Sequence, residues 1–190
     1  MKKSIGPKTI LYPAPVLIVG SYDKDKNPNI MAVAWGGICN SAPPCIAISV
    51  RESRLTYDNI ILNQAFTINI PTEEQVKEAD YSGIVSGREV NKFQKAGLTP
   101  IESEFVNAPY IKEFPLVIEC KLIQTVNIGS HIQFIGEISD VKCDENCLNE
   151  KGIPNIEIIK PLLYAPIQSE YYGIGKKVGL AFKSGSEIKK

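Results

Sequence analysis

Asn29-Ile30-Met31-Ala32-Val33-Ala34-Trp35-Gly36-Gly37-Ile38-Cys39-Asn40 runs through Ser41-Ala42-Pro43-Pro44 into Cys45-Ile46-Ala47-Ile48-Ser49-Val50-Arg51-Glu52-Ser53-Arg54-Leu55-Thr56-Tyr57. The stretch reads as a β-strand over 29–35, a Gly-Gly turn, and a second strand over 45–50 that delivers a polar, cationic cluster to the start of a helix over 56–63. Two arginines at a helix start are opposed by the partial positive charge of the helix N-terminus. An anion held between the guanidinium groups and the free backbone N–H groups reverses that penalty, and a phosphate suits both the charge and the hydrogen bonding. Arg51, Ser53, Arg54 and Thr56 are therefore candidates for gripping a phosphate-bearing cofactor; the alternative is that both arginines are solvated and bind nothing.

Outward from this segment, short runs rich in Val, Ile, Thr and Phe alternate with turn residues. Further strands are expected over 16–22, 65–70, 116–127, 131–141 and 162–165, with hairpins closed by Asp23-Lys24-Asp25-Lys26-Asn27-Pro28 and by Ile128-Gly129-Ser130. Helices are fewer. Thr72 and Gln75 have the spacing of a capping box that opens a helix over 73–81, and Gly97 closes a short one over 91–96. Sequential, hairpin-linked strands imply an all-β-dominated, antiparallel barrel carrying peripheral helices. A chain of 190 residues fits a single domain, 1–190, and the Gly-, Lys- and Ser-rich stretch after Tyr172 reads as a flexible C-terminal tail.

Lys plus Arg and Asp plus Glu balance at 21 each, so no global field favours nucleic acid or an anionic membrane. Prolines interrupt the apolar run that a signal peptide needs after its basic start, and no stretch reaches the ~20 apolar residues of a membrane span, which points to a soluble cytoplasmic protein. The five cysteines are an odd number and read as free thiols; neither Cys39/Cys45 nor Cys143/Cys147 has the tight spacing of a zinc or redox motif, so no metal site is expected. Gly173, Gly175 and Gly179 imitate a dinucleotide fingerprint but lack the strand-helix-strand unit around it. His131 is the only histidine and stands either as a donor or proton carrier beside a ligand or as a structural residue. Trp35, the only tryptophan, either packs in the core or borders a flat ligand, for which Ala32 and Ala34 leave room. Ser86-Gly87-Arg88-Glu89-Val90-Asn91-Lys92-Phe93 is a second polar, basic segment, either a solvated loop or a further source of positive charge for the phosphate, with Phe93 anchoring the short helix.

In matching order along most of the chain, residues 29–57, 86–97 and Gly129-Ser130-His131-Ile132-Gln133-Phe134-Ile135-Gly136-Glu137-Ile138, and then Tyr171-Tyr172-Gly173, resemble the flavoredoxin and flavin reductase-like family. The resemblance implies an FMN-binding split β-barrel and a homodimer with each flavin near the subunit interface. It also implies electron transfer through FMN, with NAD(P)H as transient co-substrate and flavin, ferric complexes or a protein as acceptor. An FMN electron carrier without strong NAD(P)H reductase activity is the alternative within the class, and a non-catalytic flavin-binding module the alternative outside it. By position, Ser49, Arg51, Ser53, Arg54 and Thr56 resemble the phosphate and ribityl contacts, with Lys92 a further phosphate contact. Asn29, Met31, Ala32, Val33, Ala34 and Trp35 resemble the strand that meets the isoalloxazine, although Met31 departs from the small polar residue usual there. Val50 and Phe93 complete the implied cofactor-binding set, and His131 resembles the catalytic histidine near the reactive flavin face.

Overall fold

The computed structural model describes residues 1–189. In chain order the elements are β1 (Ala14–Pro15), β2 (Leu17–Tyr22), β3 (Pro28–Val33), β4 (Gly36–Ser41), β5 (Pro44–Val50), α1 (Leu55–Asn63), β6 (Ala65–Ile70), α2 (Val76–Ile84) and α3 (Lys92–Ala96). There follow β7 (Pro100–Glu102), β8 (Pro109–Ile111), β9 (Leu116–Asn127), β10 (Ile132–Cys143), α4 (Ile156–Ile159), β11 (Leu163–Ala165) and β12 (Glu170–Tyr172). Seven strands form one antiparallel sheet in the order β3-β2-β6-β9-β10-β5-β4, with β1-β11-β12 and β7-β8 as small satellites.

The connectivity dictates the curvature. β3 and β4 are the two edges of the seven-stranded sheet, yet only Ala34 and Trp35 separate them in the chain. Two residues span less than about 10 Å, so the sheet must curl until its edges approach each other. No ladder joins them, and the result is an antiparallel barrel left split along that seam.

β2 is apolar along nearly its whole length because it faces two cores. Leu17 and Val19 point into the barrel with Met31, Val33, Ile48, Phe66 and Phe134, while Ile18 points outward with Ile30, Phe93, Ile111 and Phe114 into a layer beneath α2 and α3. Phe66 is fully buried, and a Cβ on Gly136 would come within 2.6 Å of its ring, so the glycine is what lets β10 pass. Buried Asn69 joins the layers: its Nδ2 donates to Ile18 O at 2.9 Å and its Oδ1 accepts the Ile111 N–H at 2.8 Å. A buried amide satisfied on both sides costs little and fixes β6 against β2 and β8.

Several sequence expectations are corrected in detail. Gly36 and Gly37 make no turn; they begin β4, and the chain reverses at Ala42-Pro43 instead. The glycine is needed for close approach, since a Cβ on Gly36 would meet Leu17 Cδ1 at 2.7 Å. The first strand stops at Val33, so Ala34 and Trp35 form the joint, and His131 precedes β10. The capping box of Thr72 and Gln75 is present but starts a 3-10 turn, Glu73–Gln75, before α2 runs on to Ile84. The two- and three-residue strands β1, β7, β8 and β12, and the single-turn α4, are too short to show a period and are set by tertiary pairing. Beyond Tyr172 the described chain holds turns and a 3-10 segment, Ser186–Lys189, and no strand.

Candidate functional site

β3 pairs only with β2, so along its other edge alternate N–H and C=O groups have no ladder partner. Three adjoining depressions follow that edge. The narrowest, about 40 Å³, is lined by Asn29, Ser53, Arg54, Thr56, Gly87 and Lys92 among others. The next, about 170 Å³, runs along residues 31–35 and is closed by Ser49, Val50, Arg51, Arg54 and His131. The third, about 270 Å³, shares residues 32–34 and is walled by Asp80, Gly83, Tyr164 and Tyr171.

The first depression is cationic without compensation. Among the described residues no Asp or Glu pairs with its Arg54 or Lys92, nor with Arg51 in the adjoining depression, whereas Arg88 is taken by Asp58 and Lys160 by Glu73. Arg54 is the N-cap residue of α1 and supplies no side-chain cap; the Tyr57 N–H turns back to Arg54 O at 3.0 Å, and the Leu55 and Thr56 N–H groups are left open. Lys92 is almost fully buried, and its Nζ donates to Ser82 O at 2.8 Å. Burial, and then the neighbouring Arg54 charge, push its pKa down to about 8. An anion placed here would relieve the mutual repulsion of the cations and occupy the open helix terminus.

Asn29 and Thr56 brace this end. Asn29 Nδ2 donates to Thr56 Oγ1 at 3.0 Å, tying β3 to α1 and leaving the Thr56 hydroxyl proton free to donate elsewhere. Gly87 completes the wall, because a Cβ there would sit 2.0 Å from Asn29 Oδ1. The segment 86–93 thus enters the site through Gly87 and Lys92, while Arg88 turns outward to its carboxylate.

At the middle depression the Ser49 N–H donates to Trp35 O at 2.8 Å, which extends the β4–β5 ladder by one residue and pins the β3–β4 joint to β5. Trp35 is 37% exposed, so it is no core tryptophan but a wall of the groove. His131 lies opposite; Ser130 Oγ stands 2.9 Å from its Nδ1, which a hydroxyl proton can satisfy, leaving Nε2 for a ligand. Val50 lines the depression although its side chain belongs to the barrel core. Phe93 does not reach the groove: it is buried in the outer core, where it seats the helix that carries Lys92.

The third depression was not foreseen as part of a site. Tyr171 Oη donates to Asp80 Oδ1 at 3.0 Å and its ring packs on Tyr164, with centroids 5.5 Å apart, which holds the β11–β12 hairpin against α2. Burial and the adjacent carboxylate push the Tyr171 hydroxyl pKa up. The only advance signal was the Tyr171-Tyr172-Gly173 sequence; nothing in 76–84 marked Asp80 or Gly83.

The split antiparallel barrel therefore carries, along the free edge of β3, a groove with an uncompensated cationic pocket at one end. Residues 9–175 match the model of the flavin reductase like domain. The structure superposes on the flavoredoxin of Desulfovibrio vulgaris (Miyazaki F) with a TM-score of 0.94 at 51% identity, covering 97% of this chain and 100% of that one. It matches flavoredoxin from Methanosarcina acetivorans with a TM-score of 0.92 at 32% identity, over 99% of both chains. An uncharacterised protein of Aquifex aeolicus is 32% identical over 158 residues, 80% of this chain and 81% of the relative. The chain belongs to the flavoredoxin and flavin reductase-like family, and its role is flavin-linked redox chemistry.

Proposed function

We propose that this protein binds FMN along the free edge of β3 and uses it to pass electrons from NAD(P)H to flavin, to a ferric complex or to a protein acceptor. The observation that carries the reading is the trio Arg51, Arg54 and Lys92, unpaired among the described residues, beside the uncapped start of α1. A phosphomonoester is dianionic above about pH 6 and matches both the charge and the donors. The ring then falls along residues 31–35, where the unpaired backbone of β3 offers donors and acceptors to a heterocycle edge and Ala32 and Ala34 leave space beside it. When bound, FMN supplies the hydride and single-electron chemistry, so the chain needs no triad of its own. Its residues bind, orient and exclude water, and His131 Nε2 holds or moves a proton at the ring.

The similarity to two flavoredoxins supports a second reading, an electron carrier with FMN held tightly and little nicotinamide-dependent activity. Anaerobic mixing of the FMN-loaded protein with NADH or NADPH separates the two. Rapid bleaching of the oxidised flavin band is expected of a reductase, and a flavin that stays oxidised would leave only the carrier.

We also propose a homodimer formed over β4, whose outer row is bare: residues 37–41 are all exposed, with Ile38 at 66%. No helix among the described residues is long and apolar enough to cross a membrane. The free cysteines accord with the cytoplasm as the place of action.

A further inference from the structure

The C-terminal segment presents apolar side chains to solvent. Val178 is 93% and Phe182 105% exposed, and Leu180 is half-exposed between them. Phe182 sits at φ +63°, a conformation bulky residues avoid, on a turn closed by the Ser184 N–H to Leu180 O and by the Leu180 N–H to Ser184 Oγ. A turn that presents an aromatic ring wholly to water, at a cost in backbone energy, needs a surface that repays it.

Elsewhere on the molecule a cleft of about 360 Å³ has almost no polar lining: Val16, Ile70, Leu116, Ile156, Ile159 and Leu162 form it with three prolines. It shares no lining residue with the cationic pocket or the middle depression. The helix α4 that frames it carries Glu157, and the neighbouring Lys160 is already paired with Glu73. Charge is divided in the same sense. Residues 173–190 hold five lysines against one glutamate, net +4, so in a chain of zero net charge the remaining 172 residues carry −4. A cationic arm with apolar side chains and an acidic body with an apolar cleft are complementary.

We infer that the C-terminal arm docks in trans, Phe182 entering the apolar cleft of a second copy of this chain. The arm runs without regular structure from residue 173 to 180 and leaves Val178 and Phe182 clear of its own body, which favours a neighbouring copy over its own cleft. The inference builds on the proposed dimer by giving it a second contact, distinct from β4, and it is independent of flavin binding.

Sedimentation equilibrium of the FMN-loaded full chain tests it. Phe182→Glu, Ile156→Glu and a chain ending at Gly175 are each expected to weaken self-association at least tenfold with FMN affinity unchanged. The double variant Phe182→Glu/Ile156→Glu is expected to lose no more than either single one, because both break the same contact. Additive losses, or a truncated chain that associates as tightly as the full one, would overturn the contact. Unchanged association, with a coupled loss of thermal stability in Phe182→Glu and Ile156→Glu at dilutions where the chain is monomeric, would overturn docking in trans by showing that the arm fills its own cleft. Loss of FMN binding in Arg54→Ala bears only on the flavin reading and leaves the arm contact standing.

Discussion

The two edges of the seven-stranded sheet are built from adjacent stretches of chain and have opposite characters. β3 buries Ile30 in the outer layer and Met31 and Val33 in the barrel, and α2 and α3 cover it. β4 has Gly37, Ile38, Cys39, Asn40 and Ser41 in the open. Ile30 gives β3 bulk on its outer face for the helices to settle on, whereas β4 offers a lone Ile38 among small and polar residues. The covered edge gains walls, cations and a helix terminus, the features on which the proposed FMN groove rests. The bare edge keeps its unpaired backbone and is suited to another chain. Edge strands are usually a hazard, and in the reading proposed above one serves as a site and the other as a surface.

That contrast can be broken by mutation, and the largest effect is expected at the mouth of the groove. Replacing His131 with Asn should leave FMN affinity nearly unchanged and slow reduction by NAD(P)H by roughly a hundredfold, the low end of the range for a lost proton-transfer group. Stopped-flow reduction at saturating FMN measures it, and unchanged rates would remove His131 from the chemistry.

A smaller effect, about tenfold, is expected from titrating Lys92. Because burial and Arg54 hold its pKa near 8, below the ordinary lysine value, the free protein loses this charge as pH rises through about 8, whereas a bound phosphate stabilises the ammonium form. FMN binding is then coupled to proton uptake, and affinity falls as pH rises above about 8. On the acid side, affinity falls below about pH 6 as the phosphate takes its second proton. Lys92→Met should abolish the alkaline limb and leave the acid one, which fluorescence titration across pH will show. The smallest effect belongs to the bare edge: Ile38→Asp should lower self-association while changing FMN affinity by no more than a few-fold. A loss of FMN as large as that from a cation variant would mean that β4 is part of the groove rather than its counterpart.

The sequence carried the architecture wherever a strand was long enough to show its period. β2, β5, β6, β9 and β10 lie within a residue or two of the expected bounds because each combines a run of Val, Ile or Phe with clear turn residues at its ends. Gly36-Gly37 misled because glycine serves two purposes, turning and close packing, and the second is settled only by Leu17 on a neighbouring strand. The cationic end of the groove was legible for a related reason: Arg51, Ser53, Arg54 and Thr56 fall within one short stretch of chain, so local chemistry sufficed to bring them together. Lys92 was suggested by its basic segment, but its burial against Ser82 was not. Asp80, Gly83 and Tyr164 come from two separate elements and meet Tyr171 only through folding, so no local pattern announced them. Phe93 stands one residue from Lys92, and the helix that aims the lysine at the groove necessarily aims its neighbour into the core.

The central claim, that the pocket at the start of α1 grips the phosphate of FMN, is tested most directly by titrating the protein and its Arg54→Ala variant with FMN and with riboflavin. Loss of one charge-assisted contact costs about 1.5–3 kcal/mol, so FMN affinity should fall roughly ten- to a hundredfold while riboflavin, which lacks the phosphate, is almost unaffected. Equal weakening of both ligands, or no weakening of FMN, would contradict it.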